Sequence, residues 1–228
     1  MKNHISLIIF DMDGLMFDTE RLAIPSWKKA GEKYGYNIEP AHIIKTIGVY
    51  IEDAREIFKK HFGKDFPFNE IRKLRERYAF EYMEENGIPV KKGLHKLIDY
   101  LEDKKILKAV ATSSERKKVD RYLTLANMED RFDYMVCGDE VIKGKPDPEI
   151  FLKVARNAGC EPDKCIVLED SENGIIAASR AGMKPIFIPD IQRLSGSTER
   201  LIFKEFSSLF EVKDYIKSVL EKIKRERK

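Results

Sequence analysis

The pattern of hydrophobic and polar positions opens with an apolar run, Leu7–Phe10, between polar flanks. Such a run predicts a strand that is buried on both faces. Asp11 and Asp13 follow it directly, with Gly14 behind them. Two acids at the carboxyl end of a strand place negative charge at the rim of the sheet, where open α/β folds bind ligands. Because like charges this close raise each other's pKa, a cation at this rim would be favourable.

Two other interpretations of the Asp-x-Asp-Gly pattern exist. A plain turn after a strand fits this stretch taken alone and stays open at this point. A calcium loop of the EF-hand type needs a third Asp or Asn between the second acid and the glycine, and a glutamate at the twelfth position. Here Met12 leads directly into Asp13 and Gly14, and the twelfth position is Leu22. The calcium loop is therefore excluded.

Residues 19–86 have a different character from the first strand. They are rich in lysine, glutamate and aromatic residues, and their apolar positions recur at helical spacing, for example at Ile51, Ala54 and Phe58. Glycines and prolines divide the segment into about four helices. The pattern predicts a helical domain inserted after the first strand.

After residue 87 the pattern becomes an alternation of strands and helices. Four more strands are predicted, at residues 106–111, 134–137, 165–168 and 185–188, and a closing helix at 212–228. Strands separated by helices of this length imply a parallel sheet with right-handed crossovers. We therefore expect an α/β core, residues 1–18 and 87–228, and a helical insert, residues 19–86.

Composition narrows the class of partner. Charged residues make up 36% of the chain, but their signs nearly cancel to a net charge of +3. This balance gives no broad electrostatic case for nucleic acid or for an anionic membrane. The three cysteines are odd in number and lack the spacing of a metal site, which is typical of reduced cysteines in a cytoplasmic protein. No apolar stretch approaches the length of a membrane span. For the oligomeric state, we expect a monomer or a weak dimer.

Polar groups follow three of the predicted strands. They are Asp11 and Asp13, Thr112 and Ser113, and Glu169 and Asp170. Because a parallel sheet brings the carboxyl ends of its strands to one edge, these groups converge if the strands are neighbours. Lys145 lies in a loop that starts from the same edge. An oxygen-rich acidic site of this kind suits Mg²⁺.

Each of these groups also has a purely structural interpretation. Thr112 and Ser113 could cap the next helix, and Lys145 could be a solvated loop lysine. Glu169 and Asp170 could cap the helix that follows them, where their negative charge would favour its positive end. Taken singly, each structural interpretation is at least as good as the functional one. Taken together, the structural one requires four unrelated coincidences at one sheet edge, and we favour the functional one.

Four motifs in order resemble the haloacid dehalogenase superfamily, in the branch (subfamily IA) with a helical cap inserted after the first motif. The motifs are residues 11–19 (DMDGLMFDT), Thr112-Ser113, residues 145–148 (KPDP) and residues 169–174 (EDSENG). The resemblance extends to phosphatases of the β-phosphoglucomutase and phosphoglycolate phosphatase type. It implies a Rossmann-like parallel sheet with helices on both faces and a four-helix cap domain.

The resemblance also implies roles. Asp11 would be the nucleophile that forms an aspartyl-phosphate, and Asp13 the general acid and then the base. Thr112 and the backbone at Ser113 would hold phosphoryl oxygens, and Lys145 would neutralise their charge.

For the metal, the resemblance implies Mg²⁺ as the cofactor. Its ligands would be Asp11, the backbone carbonyl of Asp13, and Asp170, with Glu169 nearby or acting through water.

The choice of reaction depends on a few residues. Asp13 favours phosphate-ester chemistry, because dehalogenases of the family lack this acid. In an ungapped match, the mutases have a histidine and an arginine where this chain has Ala23 and Ile51, which favours a phosphatase over the alternative, a β-phosphoglucomutase-like isomerase. A non-enzymatic binding protein is a third hypothesis, disfavoured because no catalytic position is substituted.

The substrate is expected to be a small phosphorylated metabolite, such as a sugar phosphate. The loop of residues 46–51 is the candidate for substrate selection, with Gly48 and Tyr50 as substrate-binding residues. Packing of Tyr50 between cap helices is an equally good interpretation of that residue.

Overall fold

The structure is a computed structural model that describes residues 5–46, 51–191 and 193–226. Within these residues a single sheet contains six parallel strands in the order β3-β2-β1-β4-β5-β6. The strands are β1 (Leu7–Phe10), β2 (Leu107–Ala111), β3 (Tyr134–Val136), β4 (Cys165–Glu169), β5 (Lys184–Phe187) and β6 (Lys204–Glu205). The helices are α1 (Thr19–Lys33), α2 (Pro40–Ile44), α3 (Ile51–Phe62), α4 (Phe68–Asn86), α5 (Leu94–Asp103), α6 (Arg116–Leu125), α7 (Glu149–Asn157), α8 (Glu172–Arg180), α9 (Gly196–Glu199) and α10 (Leu209–Glu226).

The predicted α/β class with a parallel sheet is confirmed, and β1 lies near its centre. All four residues of β1 are buried, as an uninterrupted apolar run predicts. Its last residue, Phe10, lies in register with Val110 of β2 and Leu168 of β4. The chain therefore leaves β1, β2 and β4 at the same edge of the sheet.

The hydrophobic core of the sheet is built from residues that alternate along each strand. Leu7 and Ile9 pack with Phe151 of α7 and with the small residues of α8, in one cluster of buried side chains. Ile8 and Phe10 are also completely buried, and Phe10 meets the edge of the Phe132 ring at a centroid distance of 5.7 Å. Because successive side chains of a strand point to opposite faces, both faces of β1 are covered.

One strand was not predicted. The two residues of β6, Lys204 and Glu205, are both charged and exposed, so neither carries the apolar signal by which a strand is recognised. Pairing with Ile186 and Phe187 of β5 produces the strand. The closing helix α10 also starts three residues earlier than expected, at Leu209.

The chain forms two compact units. One contains the sheet and runs up to Phe17 and again from Val90, and the other is the helical segment Asp18–Pro89. The chain crosses from one unit to the other twice, after Phe17 and before Val90. These two points lie side by side, since Phe17 pairs with Val90 in an antiparallel bridge. One residue further on, the Asp18 N–H donates to the Pro89 carbonyl at 2.8 Å.

Aromatic side chains form the core of the helical unit. Trp27 of α1 stacks on Phe58 of α3 at a centroid distance of 4.8 Å. Phe58 is 1% exposed and also stacks on Phe66 at 5.3 Å. Aromatic pairs at these distances contribute energy beyond the area that they bury. None of the helices in the described segments is both long and apolar enough to span a membrane.

Replacing Phe58 by alanine is expected to destabilise the helical unit by about 3–5 kcal/mol, because it leaves a cavity at the centre of the aromatic cluster. Urea unfolding followed by fluorescence measures this, since Trp27 is the only tryptophan of the chain. The control is Tyr82→Ala in α4, where the residue is 51% exposed and the loss should stay below about 1 kcal/mol. Equal losses in the two variants would contradict the assignment of Phe58 to the core.

The cysteines should differ in reactivity. Burial raises the pKa of Cys137 and of Cys165 to about 12. The thiolate is the reactive form, so at pH 8 both groups remain almost entirely as unreactive thiols. Iodoacetamide should therefore modify the partly exposed Cys160 first, and all three cysteines quickly in urea, as measured by mass spectrometry. Rapid labelling of Cys165 in the native protein would contradict this.

Candidate active site

The turn after β1 places Asp11 at the rim of the sheet. The Asp11 N–H donates to the Leu168 carbonyl at 3.0 Å, which extends the pairing with β4 by one residue. The chain then reverses at Gly14, whose φ of +83° is one that side-chain-bearing residues rarely adopt. The Gly14 N–H closes the turn by donating to the Phe17 carbonyl at 2.9 Å. Asp11 is thus left at the carboxyl edge while the chain moves away.

Lys145 is enclosed by the acidic cluster. Its ammonium donates to Asp11 Oδ1 and to Glu169 Oε1, each at 2.6 Å, and to the Ala111 carbonyl at 3.0 Å. The Lys145 side chain is only 5% exposed, and that of Glu169 is completely buried. The interpretation of Lys145 as a solvated loop lysine is therefore wrong.

Burial and charge act in opposite directions on this pair. Burial acts to lower the pKa of Lys145, but Asp11 and Glu169 outweigh it and raise that pKa above its ordinary value. Burial raises the pKa of Asp11 to about 7, against the lowering effect of Lys145. A further cation in the cluster would favour the ionised form of Asp11.

Glu169 is held from two sides. Its Oε1 accepts from Lys145, and its Oε2 accepts from the Ser171 N–H at 3.2 Å and the Ser171 hydroxyl at 2.9 Å. Ser171 is the N-cap of α8 and accepts from the Gly174 N–H at 3.1 Å. The capping residue is thus Ser171, and the proposed capping role of the two preceding acids is wrong.

Two glycines leave room for the acids. A Cβ on Gly14 would lie 2.0 Å from Asp170 Oδ2, and a Cβ on Gly174 would lie 1.9 Å from Glu169 Cδ. Both distances are far inside van der Waals contact. The acids therefore occupy the space that a side chain at these positions would need.

Oxygens of Asp11, Glu169 and Asp170 all lie within 4.8 Å of one another. A hard cation such as Mg²⁺ prefers carboxylate and water oxygens, so the donor set fits a divalent ion of this type. The Asp13 carboxylate is not part of this group. That arrangement is compatible with the expectation that Asp13 would reach a metal through its backbone carbonyl.

Thr112 and Ser113 follow β2 at the same edge. Thr112 is 2% exposed, its N–H donates to the Val136 carbonyl at 3.2 Å, and its hydroxyl accepts from the Ser114 N–H at 3.1 Å. The N-cap of α6 is Glu115. The helix-capping interpretation of Thr112 and Ser113 is therefore wrong, and Ser113 is exposed at the rim.

The Asp13 carboxylate has two partners, Ser114 and Lys118, that were not predicted from the sequence. Oδ2 accepts from the Ser114 hydroxyl at 2.7 Å and from Lys118 Nζ at 2.9 Å, and Oδ1 lies 3.1 Å from the same ammonium. Lys118 follows Ser114 by four residues, a spacing that places side chains on one side of a helical turn. Because Ser114 precedes α6, which begins at Arg116, this spacing alone did not signal the contact. Gly48 and Tyr50, the expected substrate-binding residues, lie outside the described residues.

Comparison with known proteins identifies the family of the chain. The model of the haloacid dehalogenase-like hydrolase family matches residues 8–188. A phosphorylated carbohydrates phosphatase of Thermotoga maritima is 32% identical over 79% of this chain and 83% of its own. Hexitol phosphatase B of Escherichia coli is 28% identical over 79% and 82%, respectively. The crystal structure of a candidate β-phosphoglucomutase from Thermotoga maritima superposes with a TM-score of 0.79 at 26% identity, covering 94% of this chain and 99% of that one.

Fold and site together define the class, a parallel α/β hydrolase with a lysine-bridged acidic cluster at the carboxyl edge of its sheet. The chain belongs to the haloacid dehalogenase-like hydrolase family. Within that family it is a phosphoric monoester hydrolase.

Substituting Gly174 by alanine is expected to lower kcat/KM for phosphate release by about tenfold or more, because Glu169 must shift and Lys145 with it. The matched control is Gly144→Ala, since a Cβ on Gly144 meets no atom of the described residues within 4 Å. Steady-state phosphate release from the same ester measures both variants, with circular dichroism to verify folding. Full activity of Gly174→Ala would show that the cluster tolerates this displacement.

Proposed function

We propose that the protein is a Mg²⁺-dependent phosphatase that hydrolyses a small phosphorylated carbohydrate through an aspartyl-phosphate intermediate. One observation carries the proposal: Lys145 joins Asp11 to Glu169 beside Asp170, and a second acid, Asp13, follows Asp11 by two residues. The arrangement supplies a nucleophile, a proton donor and charge neutralisation. Hydrolysis of phosphate monoesters is among the slowest uncatalysed reactions and needs all three.

In the first step a carboxylate oxygen of Asp11 attacks phosphorus. A bond from Asp11 to phosphorus forms while the bond from phosphorus to the leaving oxygen breaks, and the leaving oxygen takes the proton of Asp13. In the second step Asp13, now ionised, takes a proton from water while the water oxygen forms a bond to phosphorus and the bond between phosphorus and Asp11 breaks. Inorganic phosphate leaves, and Asp11 and Asp13 return to their starting states.

Other residues hold the charge that develops on the phosphoryl oxygens. Lys145 is fixed by its three contacts before substrate arrives, so it needs no rearrangement to act. The buried Thr112 and the exposed Ser113 at the adjacent strand end would donate to the remaining oxygens. These groups stabilise the transition state because they are already oriented.

Asp11, Asp170 and the backbone carbonyl of Asp13 would hold the divalent metal. Glu169, whose two oxygens already accept from Lys145 and Ser171, would act through water. When bound, Mg²⁺ supplies positive charge that offsets the negative charge of the phosphoryl group.

The substrate class is supported by the named relatives. The enzymes from Thermotoga maritima and Escherichia coli are named for phosphorylated carbohydrates and for hexitol phosphates. The likeness to a candidate β-phosphoglucomutase favours the mutase alternative, but Ala23 and Ile51 stand where the mutases carry a histidine and an arginine. We assign substrate selection to the helical unit, Asp18–Pro89, as a cap.

The phosphatase proposal predicts metal-dependent phosphate release that requires Asp11. The test measures release from glucose 6-phosphate, sorbitol 6-phosphate, glycerol 3-phosphate, phosphoglycolate and p-nitrophenyl phosphate, with Mg²⁺ or with EDTA. Asp11→Asn should lower turnover by about 10⁴-fold or more, as loss of a nucleophile does elsewhere. Removing the metal with EDTA should also lower turnover.

The matched control is Asp214→Asn, since the Asp214 side chain is 70% exposed in α10. That variant should keep native activity. Interconversion of hexose 1-phosphate and 6-phosphate with added bisphosphate, without phosphate release, would instead favour the mutase. Release that Asp11→Asn leaves unchanged would overturn the covalent mechanism.

A further inference from the structure

A second lysine lies beside the site, and its surroundings differ from those of Lys145. Lys118 Nζ lies 2.9 and 3.1 Å from the two oxygens of Asp13 and 3.0 Å from the Ser114 hydroxyl. The Lys118 side chain is 39% exposed, whereas that of Lys145 is 5% exposed. Lys118 is therefore a cation at the rim that a bound molecule can reach.

The position of Lys118 is set by its neighbours. Its ammonium lies 5.1 Å from the centre of the Tyr122 ring, one helical turn further along α6. Tyr122 is 7% exposed and meets the Phe17 ring edge-on at 6.2 Å. The Phe17 carbonyl accepts from Gly14 in the turn that carries Asp13. The cation and the acid are thus held by one connected group of buried contacts.

The position of Lys118 corresponds to the leaving-group side of the scissile bond. A general acid must lie about 2.6–3.2 Å from the oxygen that it protonates. Because Lys118 is in direct contact with the Asp13 carboxylate, its ammonium would lie within about 6 Å of the leaving oxygen. The phosphoryl oxygens are already served by Lys145 and Thr112. An oxygen one carbon away from the ester would be within reach of Lys118.

We propose that Lys118 selects leaving groups that carry an oxygen on the carbon next to the phosphate ester. The inference rests on the proposed phosphatase function and narrows its substrate class to phosphorylated polyols, sugars and hydroxy acids. An ammonium donates hydrogen bonds to a hydroxyl or carboxylate oxygen and has no such partner in a plain alkyl chain. A hydrogen bond to a charged group changes an equilibrium by about ten- to a hundredfold.

The test compares glycerol 3-phosphate with propyl phosphate, which has the same three carbons and no hydroxyl groups. The native enzyme should favour glycerol 3-phosphate in kcat/KM by about tenfold or more. Lys118→Met should remove about tenfold of that preference, because kcat/KM should fall more for glycerol 3-phosphate than for propyl phosphate. Lys118→Arg should keep most of it, and Lys117→Met, at an exposed neighbouring position, should keep all of it.

Hydrolysis of p-nitrophenyl phosphate, and its loss in Asp11→Asn, tests the phosphatase function separately. Where an ester turns over too slowly, its inhibition constant with p-nitrophenyl phosphate as the substrate is measured instead, and the two inhibition constants give the preference in binding. An equal loss on both esters in Lys118→Met would show that Lys118 acts only through Asp13 or the fold, and would overturn the inference. No loss on either ester would overturn it as well.

Discussion

The structure depends on the ion pairs that Lys145 makes with Asp11 and Glu169. Charges this deeply buried lose the hydration that water would supply, and only close, well-directed partners compensate for that loss. Lys145 meets this requirement with two carboxylates and the Ala111 carbonyl. When all are ionised, the three carboxylates of the cluster exceed the single ammonium in charge. The site is therefore electrostatically suited to a cation, and a cation in turn makes it suited to phosphate.

The sheet topology is sufficient to place the partners of Lys145 next to one another. Because β1 lies between β2 and β4, the three strand ends that carry functional groups are neighbours. The strand order also reverses direction at β1, the place where open α/β sheets leave a crevice for ligands. Asp11, Thr112 and Glu169 come from distant parts of the chain, and parallel pairing alone brings them together.

Much of this could be predicted from the sequence. The run Leu7–Phe10 identified the central strand, and parallel pairing implied convergence of the acids. Other features depend on information that periodicity does not carry. The contact of Lys118 with Asp13 depends on the path of residues 112–115 and on the rotation of α6, while the lysine looks in the sequence like any solvated helix residue. The strand β6 has no apolar residue to signal it. The position of Lys145 at this edge was predicted, but its burial between two carboxylates was not.

The glycines around the acids have a consequence for how such a site can change over evolutionary time. A side chain at Gly14, Gly138 or Gly174 would overlap Asp170, the Ser113 carbonyl or Glu169, respectively. Single substitutions at these positions cannot adjust the site gradually, because the smallest available change already displaces a functional group. New substrate preferences must therefore arise at positions that border the leaving group. The chemistry of the cluster and the identity of its substrate are thus free to evolve at very different rates.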